Sequence, residues 1–147
     1  MQLFRSALLA AFSFLTAPGL AWAAEKSSID AADTGFMIVA TALVLMMTLP
    51  GLALFYSGMV RRKNVLATMA QSAGALALVS LLWAGAAYSL TFSGGGAFLG
   101  TAERFFLAGI GLDTVSPWAK TIPEILFMLY QMTFAVITCA LVGGAVA

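Results

Sequence analysis

The stretch from Thr34 to Val60 carries no charged side chain, and it ends abruptly on Arg61-Arg62-Lys63. A membrane-crossing helix needs about 20 apolar residues, so this run is long enough to span a bilayer. The basic cluster predicts a cytoplasmic location for that end, because Lys and Arg in short loops stay on the cytoplasmic side. Pro50-Gly51 sits inside the run. A proline frees backbone groups that hydrocarbon cannot satisfy, so neighbouring helices or water must do so. The pair therefore predicts a bent or locally opened helix that packs against others, in a polytopic bundle rather than a lone anchor.

Composition supports the same class. The chain is 62% hydrophobic and 9% charged, with a mean hydropathy of +1.01, whereas a soluble domain is about 25% charged. A net charge of +1 without a dense basic patch argues against a nucleic-acid partner. One cysteine, Cys139, excludes an internal disulfide framework. Its apolar surroundings predict a small buried thiol. There is no histidine, and neither a metal site nor a cofactor is expected.

The amino terminus reads as a signal peptide. Arg5 supplies a positive start, Ser6 to Leu15 a short apolar core, and Pro18-Gly19 a break. Ala21-Trp22-Ala23 then fits a small-x-small cleavage site. This gives a signal peptide over 1–23 and a mature chain over 24–147. The alternative is an uncleaved first helix, because Ser6 to Ala24 is nearly long enough to span. On either reading residues 25–33 lie outside the cytoplasm. The mature part is expected to be all-α, with membrane helices at about 34–57, 67–90 and 123–147. Pro123 suits a first helical turn. The loop around 92–121 falls on the outer side, opening with the weakly ordered Ser93-Gly94-Gly95-Gly96. Residues 102–110 fit either a short surface helix with Phe105 and Phe106 in the interface or a plain loop. The third apolar run reaches Ala147 with no flanking Lys or Arg, unlike a membrane helix with interfacial anchors. The expectation is the amino-terminal part of a larger protein, or a truncated form of one.

Small residues recur at four-residue spacing: Ala135, Cys139, Gly143 and Ala147 on the third span, and Ala70/Gly74 and Ala73/Ala77 on the second. Such spacing lets membrane helices approach closely. On the third span Phe127, Tyr130, Gln131, Phe134, Thr138 and Leu141 share one face by the three-and-four rule. Phe127 and Tyr130 fit an interfacial aromatic belt. Phe134 does not, because eleven residues beyond Pro123 is about 16 Å of helical rise, near the bilayer midplane. Gln131 and Thr133 are polar groups that need partners at that depth. A face of aromatics and neutral polar groups fits the lining of a cavity, where ring faces attract a small cation. Ordinary helix packing fits the pattern equally well.

Two strings resemble a known family. Pro50-Gly51-Leu52-Ala53-Leu54-Phe55-Tyr56, continuing through Gly58, Val60 and Arg61 to Lys63-Asn64, resembles the first cytoplasmic junction of the ammonium transporters (the Amt, Mep and Rhesus proteins). Tyr130-Gln131-Met132-Thr133-Phe134-Ala135-Val136-Ile137-Thr138 resembles that family's third helix. The likeness runs from about Asp33 to Ala147. Ser57 stands where the family often has glycine.

The resemblance implies the first three helices of an eleven-helix fold in the inner membrane, in a homotrimer with one hydrophobic pore per subunit. It further implies ammonium as substrate, ammonia as the conducted species, and a cytoplasmic regulator of the PII type. By position Tyr130 matches an aromatic of the outer recruitment site, and Phe134 one of two stacked gating phenylalanines. Leu52, Phe55, Tyr56 and Leu141 match pore-lining residues below the gate. A dry pore penalises ions strongly, and desolvation favours neutral ammonia over ammonium. Two alternatives are a small three-helix adaptor or assembly subunit, and an ammonium sensor on the same scaffold. A membrane enzyme is least expected, because no span shows an ionisable pair.

Overall fold

The computed structural model describes residues 28–96 and 98–145. The signal-peptide expectation and the last two residues of the third run lie outside the described residues. Among the described residues three helices are long and apolar enough to cross a membrane: Ala31–Met59, Arg62–Phe92 and Glu124–Ala145. Each contains the corresponding expected span, apart from those last two residues and Pro123, which immediately precedes its helix. The extensions include Asp33, Arg62, Lys63 and Asn64, polar residues that a hydropathy reading trims.

The first helix starts at Asp30, whose carboxylate accepts from the Ala32 and Asp33 amides at 2.8 and 2.9 Å. This is the usual way of satisfying the orphan donors of a helix start. The Asp30 amide donates to the Thr121 carbonyl at 2.8 Å, which ties this end to the loop between the second and third helices. Further along, Met47–Leu52 widens into a π-helical turn around Pro50 before the α-helix resumes at Ala53–Met59. A proline cannot donate and crowds the preceding carbonyl, and the wider turn relieves both problems. The expected opening is present. The packing differs in detail: Pro50 is exposed, and Thr48 and Ala53 on the other side of the turn are buried.

The helix interfaces are built from small and hydroxylated side chains. Thr41, Thr48, Ser57, Thr68, Ser72 and Thr133 are all buried, while Phe36, Val39, Leu43, Leu54, Leu66, Leu78 and Leu81 point outward. Hydrocarbon is as apolar as leucine, so close backbone approach decides which face packs. The hydroxyls stay satisfied within their own helices: Thr41 donates to the Met37 carbonyl at 2.7 Å, Thr48 to Val44 at 3.1 Å and Thr68 to Asn64 at 3.1 Å. On the third helix the buried stripe is Thr133, Val136 and Ala140. The expected stripe of Ala135, Cys139 and Gly143 is displaced by about one residue, and Cys139 is exposed rather than buried.

An aromatic core closes the end of the bundle that carries the loop between the second and third helices. Phe92 meets Phe127 at 5.1 Å between ring centroids, Tyr88 at 5.4 Å, and Trp83 and Trp118 at 6.2 Å. A second π-turn, Trp83–Ala87, carries Trp83, whose indole nitrogen donates to the Met128 carbonyl at 3.2 Å. Among its described residues, the loop over this core holds one 3₁₀ turn, Phe105–Leu107. Of the two readings for 102–110, the loop is therefore the closer. Phe106 is exposed and Phe105 half-buried. Phe106 and Leu107 both have positive φ, 52° and 61°, which bulky residues rarely adopt. Hydrogen bonds hold the segment down: Ser89 and Ser93 hydroxyls donate to the Thr101 carbonyl at 2.7 Å, and the Arg104 amide donates to Ser89 Oγ at 3.1 Å. Gly100 permits this approach, since a Cβ there would run into the Ser89 and Ser93 carbonyls.

Candidate functional site

The third helix turns the expected face into a graded surface. Near the start of this helix Phe127 is buried in the aromatic core, rather than standing in an interfacial belt. One turn on, Tyr130 is half-buried, and its ring meets that of Phe134 edge to face at 5.0 Å between centroids. Phe134 is 43% exposed, as is Leu141, and Thr138 lies open between them. Thr133 donates its hydroxyl to the Tyr130 carbonyl at 2.6 Å, and Thr138 donates to that of Phe134 at 2.8 Å. Neither threonine presents an unsatisfied donor. Packing against the other helices falls to Thr133, Val136 and Ala140, a neighbouring stripe. The Phe134–Leu141 part of the face is thus exposed, while Tyr130 stands beside the first helix.

Beside Tyr130 opens a cleft of about 280 Å³. Asp33, Phe36 and Met37 of the first helix form one wall, and Phe127, Tyr130 and Gln131 the other. It holds three aromatic rings, a neutral amide and a carboxylate. Ring faces attract cations, so this combination suits a small cation better than an anion.

The lining residues expected below the gate divide. Leu52 is half-buried and Phe55 exposed, with the Phe55 and Tyr56 rings 5.3 Å apart. Tyr56 lines a second cavity of about 60 Å³ with Thr68, Gln71, Ser72, Cys139, Ala140, Gly143 and Gly144. A Cβ at Gly144 would strike the Tyr56 ring. Leu141 does not line that cavity. The Tyr130–Phe134 pair and Tyr56 therefore belong to separate places along the bundle.

The sequence reading missed one group of residues. Glu124 is 1% exposed and forms an ion pair with Arg104 of the loop before the third helix, while the Tyr88 hydroxyl donates to the same oxygen, Oε1, at 3.0 Å. Its other oxygen, Oε2, is buried without a partner among the described residues. The signal was present: a lone carboxylate at the head of an apolar run needs a cation, and Arg104 is available in the preceding loop. Among the described residues no group of three or more His, Cys, Asp or Glu side chains stands close enough to hold a metal.

Three apolar helices, packed through hydroxyls and small residues with their large side chains outward, define a polytopic membrane fold. The Ammonium Transporter Family model matches residues 35–147. An ammonium transporter of Bacillus subtilis is 48% identical over 115 residues, 78% of this chain and 28% of that protein. A putative ammonium transporter of Methanothermobacter thermautotrophicus is 46% identical over 118 residues, 80% of this chain and 29% of its own length. The crystal structure of Saccharomyces cerevisiae Mep2 aligns with a TM-score of 0.67 at 35% identity, over 80% of this chain and 26% of that one. The chain belongs to the ammonium transporter family. It spans less than a third of the length of these relatives.

Proposed function

We propose that this chain serves as the first three spans of a membrane transporter that recruits ammonium from the outer side and conducts it as ammonia. The carrying observation is the Tyr130–Phe134 pair, 5.0 Å apart, with Tyr130 in the cleft beside the first helix and Phe134 exposed on the same face. Family membership supports ammonium as the substrate. On this reading Tyr130 offers its ring to the cation, an interaction worth about 0.5–2 kcal/mol. Phe134 obstructs the path below, so that hydrated ions are refused, their desolvation costing several kcal/mol. Leu52, Phe55, Tyr56 and Leu141 line the apolar route inward. The remaining walls, the trimeric assembly and any PII-type regulator lie with the rest of the transporter. Arg61–Lys63 face the cytoplasm, and residues 92–121 face outward.

The test is uptake. The open reading frame containing this chain is expressed in cells stripped of their own ammonium transporters, and labelled methylammonium is followed against concentration. Saturable uptake, competed by ammonium and not by potassium, is expected. Uptake no greater than in empty cells would overturn the reading.

A further inference from the structure

We propose that Asp33 is the anionic lip of the outer cleft: it draws small cations to the Tyr130 ring and sets the affinity for them. The proposal rests on the transport reading for its substrate, but its geometry stands on its own. Asp33 lines the same cleft of about 280 Å³ as Phe36, Phe127, Tyr130 and Gln131. An acidic residue in a first helical turn commonly does no more than favour the helix dipole. Here the capping work is already done by Asp30, whose carboxylate takes both the Ala32 and Asp33 amides. The Asp33 side chain is exposed, and among the described residues no basic group lies within ion-pair distance of it. Its charge is therefore available to the cleft. A carboxylate beside an aromatic wall raises the local concentration of cations, and that effect weakens as salt screens it. The neutral amide of Gln131 on the opposite wall adds polarity without a competing charge.

Two measurements separate this proposal from the transport reading. The first needs no transport. In a cysteine-free background of the full reading frame, Gln131→Cys is modified with a cationic and a neutral methanethiosulfonate reagent of similar size. Adding Asp33→Asn should lower the cationic-to-neutral rate ratio by about two- to fivefold, the effect of one unit charge through water over roughly 4–8 Å. Asp33→Glu should keep the ratio. The second is methylammonium uptake at matched surface expression. Asp33→Asn should raise the apparent KM by a similar factor, leave the maximal rate unchanged and flatten the dependence of KM on ionic strength. An unchanged rate ratio overturns the role of Asp33 whether or not the protein transports. Absent uptake in the parent protein, with the ratio shifted as expected, overturns the transport reading alone.

Discussion

Glu124 offers the sharpest test of the packing. Its side chain is 2% exposed, and that of Arg104 28%. Replacing Arg104 with Met leaves a carboxylate in the core with only the Tyr88 hydroxyl for company. Breaking a fully buried pair costs about 3–5 kcal/mol. Arg104 is partly solvated, and solvent weakens such a pair, so a loss of about 2–4 kcal/mol is expected. Glu124→Gln removes the charge but keeps the shape, with a loss of about 1–3 kcal/mol. Because the two residues act on each other, the double variant should recover about 1–3 kcal/mol relative to the sum of the singles. The assay is unfolding of the purified protein in mixed micelles with increasing SDS fraction. Single losses that add to within about 0.5 kcal/mol, as for independent sites, would show that the ion pair is not a buried unit and refute this part of the account.

Other outcomes follow from the same structure. Single cysteines placed at the exposed positions Glu103 and Asn64, in a background lacking Cys139, should report the topology: an impermeant reagent outside intact cells should label position 103 and not 64. Pro50→Ala restores a backbone donor inside the Met47–Leu52 turn. It should let the first helix close toward regular α geometry, read as a changed distance between spin labels at its two ends. Tyr88→Phe removes one hydrogen bond to Glu124 and should cost about 1 kcal/mol in the same unfolding assay.

The three helices were legible because a charge-free run bounded by basic or glycine-rich segments has few other solutions in water or lipid. The π-turn at Pro50 was legible as a local opening for the same reason, since proline lacks a donor. Which side of each helix packs was not. The expectation used Ala, Gly and Cys at four-residue spacing, whereas the buried stripes rely on Thr41, Thr48, Thr68 and Ser72. Their hydroxyls return to their own helix carbonyls, so they behave as small residues. Glu124 was passed over because its partner, Arg104, is twenty residues away in a loop without regular structure. The shared face of Tyr130 and Phe134 could be placed from helical spacing. That the neighbouring stripe does the packing required the coordinates.

The central claim is that Tyr130 and Phe134 play different parts on one face. It is tested most directly by methylammonium uptake against concentration for Tyr130→Ala and Phe134→Ala in the full reading frame, with surface expression matched and potassium uptake followed in parallel. Tyr130→Ala should weaken apparent affinity by about 2- to 30-fold, the equivalent of a lost cation–ring contact, with potassium still refused. Phe134→Ala should change the maximal rate or admit potassium. If both variants match the parent in affinity, rate and potassium exclusion, the face is only a helix surface and the account is wrong.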